Sequence, residues 1–100
     1  MTLIPKVGIL MGSQSDKAQM EKAAHVFKDF DVPFEMKVLS AHRVPTHVAK
    51  YAQEAEKRGL QVLIGGAGMA AHLAGTLAAH STLPVIGVPL DATSLNGWDA

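Results

Sequence analysis

Lys6–Phe27 reads KVGILM, then GSQS, then DKAQMEKAAHVF, and the change of period inside it decides the fold. Lys6–Met11 is a short, mostly apolar run closed by Gly12, the pattern of a strand buried on both faces. Gly12, Ser13, Gln14, Ser15 and Asp16 then form a turn rich in helix-capping side chains. From Asp16 onward Met20, Ala23, Ala24, Phe27 and Phe30 recur on one helical face, with Lys17, Glu21, Lys22 and Lys28 elsewhere. Asp31–Val32–Pro33 stops the helix. A buried strand, a polar turn and an amphipathic helix make one βα unit.

The unit recurs. Phe34–Leu39 alternates apolar and polar, which predicts a second strand nearer the sheet edge, and Ser40-Ala41-His42-Arg43 follows it. Pro45 suits the first turn of a second helix, whose inward stripe is Val48, Tyr51, Ala52 and Ala55. Arg58-Gly59 ends it, with a cation in the last turn and a glycine just beyond. Gln61–Ile64 is a third strand running into Gly65-Gly66-Ala67-Gly68, and a small-residue helix is expected over about 69–81, carrying Leu73 and Leu77. Pro84–Val88 is a fourth strand ended by Pro89, and Ser94–Ala100 reads as the first turn of another helix. Strands at about 6–11, 34–39, 61–65 and 84–88, joined by right-handed crossovers, predict one α/β domain over 1–100. Its parallel sheet lies between two helical layers. Its last strand is an open edge that a fifth strand, or a partner, would cover.

Nine basic and nine acidic residues cancel, which gives no support to a nucleic-acid or membrane-surface partner. The chain has no cysteine, and so no disulfide, thiolate nucleophile or cysteine metal site. No His-Glu-x-x-His pattern or histidine grouping has metal-ligand spacing, so no metal is expected. No signal peptide is visible, and the apolar runs are far too short to span a bilayer, so a cytoplasmic location is expected.

In a parallel sheet the strand-to-helix loops share the C-terminal edge, where ligands bind at the switch point of strand order. Gly12–Asp16 offers two hydroxyls and free amides at a helix start, a setting that favours an anion. The plainer reading is that Ser13, Ser15 and Asp16 cap the helix. Asp16 can instead accept from ribose hydroxyls. Arg43, one of two arginines, is a forked donor suited to phosphate, with Ser40 beside it; the alternative is a surface ion pair. His42 is the residue in these loops whose ordinary pKa suits general acid–base work. Gly65–Gly68 lets a ligand, or a molecule of gas size, approach the backbone closely, and His72 is expected one turn into the next helix. His25, His47 and His80 have no supporting polar cluster, and Met11, Met20 and Met36 read as core.

Met11–Asp16, Ser40–Pro45, Gly66–Gly75 and Leu83–Pro89 together closely resemble the class I N5-carboxyaminoimidazole ribonucleotide mutases, the catalytic-subunit family of phosphoribosylaminoimidazole carboxylase. The resemblance covers essentially the whole chain. It implies a flavodoxin-like sheet, a homo-octamer with sites at subunit junctions, and a ribonucleotide substrate of de novo purine synthesis. It further implies transfer of a carboxylate from N5 to ring carbon C4, without metal, ATP or organic cofactor. His42 matches the acid–base histidine; Ser13, Ser15, Ser40 and Arg43 match phosphate positions; Asp16 matches the ribose carboxylate. Ala67, Gly68 and His72 match the segment around the reactive carboxylate. Met69 stands where the family usually has glycine and Ala74 where it usually has proline. The family also continues past Ala100 with a further strand, a ligand-reaching loop and a C-terminal helix.

Two other readings compete. Class II enzymes carboxylate the unmodified aminoimidazole ribonucleotide with free carbon dioxide; they typically carry Lys where this chain has Arg43, and Ala70–Leu73 also favours class I. A non-catalytic nucleotide-binding relative would keep the phosphate loops and lose the chemistry, and His42 argues against it.

Overall fold

The computed structural model describes residues 4–41, 43–68 and 72–90. Its elements are β1 (Val7–Met11), a 3-10 turn (Gln14–Asp16), α1 (Lys17–Asp29), β2 (Phe34–Val38), α2 (Pro45–Ala55), β3 (Val62–Ala67), α3 (Leu73–His80) and β4 (Val85–Pro89). The four strands form one parallel sheet in the order β2-β1-β3-β4. The expected helix over Ser94–Ala100 lies outside the described residues.

That order dictates the layers. The chain steps one way from β1 to β2, then the other way from β2 to β3 and on to β4. Right-handed crossovers therefore put α1 on one face and α2 with α3 on the other. Val7, Ile9 and Met11 of β1 accordingly pack with Met20, Ala24, Ile64 and Leu90, on the α1 side. Leu10 and Leu63 point the opposite way, into a cluster with Val48, Tyr51, Ala52, Ala55, Leu73 and Leu77. All five residues of β1 are buried, as a strand covered on both faces requires. β2 is half-exposed at one edge of the sheet, and β4 forms the other edge among the described residues.

Five expectations are corrected. Phe30 is not part of the inward stripe of α1; it is 75% exposed. It falls one residue past the helix, where the chain turns out through Asp31 (φ 56°), so helical spacing no longer aims it inward. The Val32 amide closes on the Phe27 carbonyl (2.8 Å) and the Asp31 amide on that of Lys28 (3.1 Å), a Schellman end built on an aspartate. Gly59 (φ 93°) ends the α2 segment in the same way, with the Leu60 amide on the Ala55 carbonyl at 3.1 Å.

The third strand is longer than the expected 61–65, because Gly66 and Ala67 pair with Val88 and Pro89 of β4. Pro89 correspondingly sits inside β4 rather than after it, which an edge strand tolerates. Gly65 and Gly66 are open to protein rather than to ligand. A side chain at Gly65 would press on the Ala74 backbone at 3.1 Å, and one at Gly66 would overlap the Met20 thioether. The small-residue helix α3 thus packs tightly on the sheet, as expected, and the adjacent glycines admit helices on opposite faces.

Finally, His72 is not a turn into α3. It stands at the N-cap position, exposed, and its carbonyl accepts from the Thr76 amide at 2.9 Å.

Candidate functional site at the carboxyl edge of the sheet

The strand ends are laced together. The Leu39 amide donates to the Met11 carbonyl (2.9 Å), Gly12 to Gly66 (3.2 Å) and Leu90 to Ala67 (3.1 Å). These bonds bring the starts of the loops after β1, β2 and β3 to one edge, across the β1/β3 junction where strand order reverses. Loops leaving β1 and β3 there run to opposite faces, which opens a crevice between them.

In the first loop Ser13 and Ser15 are exposed and Asp16 is half-buried. No side chain caps either the 3-10 turn or α1. The capping reading therefore fails for Ser13, Ser15 and Asp16. Their side chains bond one another instead: Ser13 Oγ donates to Asp16 Oδ2 at 3.2 Å and lies 2.7 Å from Ser15 Oγ. Ser13 has one proton, and it goes to Asp16, so the Ser15 hydroxyl donates to Ser13. The relay is at the surface, where a ligand's oxygens can replace any of its bonds.

In the second loop the Arg43 amide donates to Ser40 Oγ (3.3 Å) and the Val44 amide to the Ser40 carbonyl (2.9 Å). This closes a tight turn directly onto Pro45, the first residue of α2. The Arg43 side chain is exposed, and its guanidinium makes no ion pair among the described residues. The surface ion-pair alternative thus has no support from them. His42 lies outside the described residues. Ala67 and Gly68 are half-buried at the end of β3, beside Gly12. Among the described residues no three His, Asp or Glu side chains gather as metal ligands would, and no helix is long and apolar enough to cross a membrane.

Sequence reasoning missed a polar cluster at the other end of β2. Tyr51 Oη donates to Glu35 Oε2 and Arg58 Nη2 to Glu35 Oε1, both at 2.6 Å. The Arg58 and Lys37 cations lie 5.4 and 5.8 Å from the Tyr51 ring centre. Partial burial pushes the Glu35 carboxyl up. The hydrogen bonds from Tyr51 and Arg58, with the Arg58 and Lys37 charges, outweigh that and hold it below the ordinary 4.5. Burial first, and then the bond to Glu35 and its charge, raise the Tyr51 phenol, which stays a neutral donor. One sequence signal was available, the glycine inside β1: a side chain at Gly8 would overlap the Tyr51 hydroxyl.

Strand order, layers and edge loops define a flavodoxin-like α/β domain with its candidate site at the switch point. A crystal structure of PurE from Treponema denticola shares this architecture, with a TM-score of 0.85 and 32% identity over 95% of this chain and 61% of that one. The chain belongs to the AIR carboxylase family, whose sequence profile matches residues 6–100. It is 57% identical over 97% of its length to an N5-carboxyaminoimidazole ribonucleotide mutase of Pyrococcus abyssi, covering 56% of that protein. It is 52% identical over 96% of its length to a phosphoribosylaminoimidazole carboxylase of Ogataea methanolica, covering 18% of it. The chain thus spans little more than half of the Pyrococcus relative.

Proposed function

We propose that this chain carries the nucleotide site of an N5-carboxyaminoimidazole ribonucleotide mutase of de novo purine synthesis. The observation that carries the reading is the meeting of three loops at the β1/β3 edge with their hydroxyls and guanidinium uncommitted to capping or to an ion pair among the described residues. Ser13, Ser15, Ser40 and Arg43 hold the phosphate, Arg43 as a forked donor. Asp16 accepts from the ribose hydroxyls, giving up its bond from Ser13. Ala67, Gly68 and His72 line the place of the reacting carboxylate.

His42 acts as general acid and then general base. Cleavage of the N5–carboxylate bond releases carbon dioxide as His42 protonates the nitrogen. C4 of the ring then attacks the carbon dioxide, and His42 removes the C4 proton. One proton is lent and recovered, so the isomerisation balances without a redox partner. The working protein is a cytoplasmic homo-octamer in this reading, completed by the further strand and helix that the resemblance implies.

A second reading, carboxylation of aminoimidazole ribonucleotide by free carbon dioxide, is favoured by the carboxylase name of the fungal relative. The deciding experiment assays the chain, alone and fused to the C-terminal remainder of the Pyrococcus protein, with each substrate. C4-carboxylated product from the N5-carboxylated nucleotide establishes the mutase. Product only from aminoimidazole ribonucleotide with bicarbonate moves the protein to the carboxylases. Nucleotide binding without either reaction leaves a non-catalytic relative.

A further inference from the structure

We infer that the Glu35–Tyr51–Arg58 cluster is a positioning device for the Ser40–Val44 turn, setting where α2 sits along the sheet; its bearing on turnover rests on the function proposed above.

Gly8 and Glu35 are register partners on neighbouring strands. Because Gly8 has no side chain, the Tyr51 phenol crosses β1 on the α2 face and reaches Glu35 on β2. Arg58, seven residues after Tyr51 and so about two helical turns further on, takes the other oxygen of the same carboxylate. The α2 segment is therefore tied at two heights to a single group on the edge strand.

Among the described residues the other directional side-chain bond on this segment, Thr82 Oγ1 to Glu56 Oε2 at 3.0 Å, ties its end to the turn before β4 and not to β1 or β2. The rest of the buried stripe of α2 is Val48, Ala52 and Ala55, packed on Leu10 and Leu63. Small apolar side chains hold a helix against a sheet but tolerate sliding along it, because the attraction is non-directional. Hydrogen bonds of 2.6 Å to a carboxylate do not.

The turn that carries Ser40 and Arg43 has no slack with which to absorb such a slide. It is closed by Val44 to Ser40 and Arg43 to Ser40, and the Val48 amide already bonds the Val44 carbonyl at 3.1 Å. Its other end is pinned by Leu39 to Met11. A shift of α2 must change the turn itself.

The test compares Tyr51→Phe and Glu35→Ala with the conservative Glu35→Gln, whose carbonyl oxygen still accepts from Arg58 and whose amide N–H can donate to the Tyr51 hydroxyl. All are read well below their melting temperatures, so that only folded protein is measured. In Tyr51→Phe and Glu35→Ala the amide 1H–15N resonances of Ser40, Ala41, Arg43 and Val44 are expected to move, returning toward the parent in Glu35→Gln. Turnover per folded molecule by the fused, complete form is expected to fall about tenfold in kcat and to recover with Gln. A lowered melting temperature with unmoved turn resonances and unchanged kcat makes the cluster a brace of the fold only and overturns the inference. If the parent turns over neither substrate, the functional proposal fails, while the turn resonances alone still decide whether the cluster positions it.

Discussion

At the scale of single residues, three glycines of the sheet are distinguished by what crosses them. Gly8 admits the Tyr51 hydroxyl, Gly65 the Ala74 backbone and Gly66 the Met20 thioether. These neighbours differ in how easily they yield. A phenol is rigid, and moving it breaks the bond to Glu35; a thioether on an unbranched chain can swing aside. Gly8→Ala is therefore expected to destabilise the fold by about 1–3 kcal/mol, the usual cost of overpacking. Gly66→Ala should cost less, on the order of 1 kcal/mol. Urea-denaturation midpoints of the two variants test the order, and a costlier Gly66→Ala refutes it. The same comparison explains why Gly65-Gly66 was misread. A glycine pair is equally the signature of a ligand approach and of a close helix, and only the packed helices distinguish them.

At the scale of elements, most of the chain was legible. β1, α1, β2 and α2 announce themselves through period, caps and stops, and all four inward residues expected of α2 are buried. The failures have local causes. Phe30 keeps the spacing of α1 but lies past its end, and β3 runs on through glycines because ladder partners on both sides outweigh their weak strand propensity. The join between α2 and β2 was invisible, since Glu35, Tyr51 and Arg58 are 16 and 23 residues apart in the chain. That join gives a pH dependence with a definite sign. The Glu35 carboxyl is held below its ordinary 4.5, so its stabilisation is complete above that value and is lost as the pH falls through the lowered one. Tyr51, raised, acts oppositely: its contribution holds below the ordinary 10.0 and fades above it. Melting temperatures from pH 7 down to 3 should fall less steeply in Glu35→Gln than in the parent. Parallel curves would show that Glu35 carries no such linkage.

At the scale of the molecule, the candidate site exists only because the fold brings three loops to one edge, so its residues are tested together. In the proposed mutase, His42→Asn is expected to leave nucleotide affinity nearly intact and to lower turnover about 10²–10⁴-fold. Arg43→Ala is expected to weaken affinity by about 1.5–3 kcal/mol, the worth of a hydrogen bond to a charged group. Isothermal titration and product assays separate the two, and unchanged affinity in Arg43→Ala refutes the phosphate assignment. Motif residues put this candidate site forward in the sequence, whereas the hydrogen bonds among Ser13, Ser15 and Asp16 depend on how the loop folds. The order β2-β1-β3-β4 also bears on how the chain is made. β1 is translated before the other three described strands yet lies inside the sheet, and its register partner Val62 follows Val7 by 55 residues. At about 5–20 residues per second, one side of this wholly apolar ribbon waits roughly 3–11 s on the ribosome for its neighbour. Of the four described strands, this wholly buried one is thus the one that nascent-chain chaperones have longest to find.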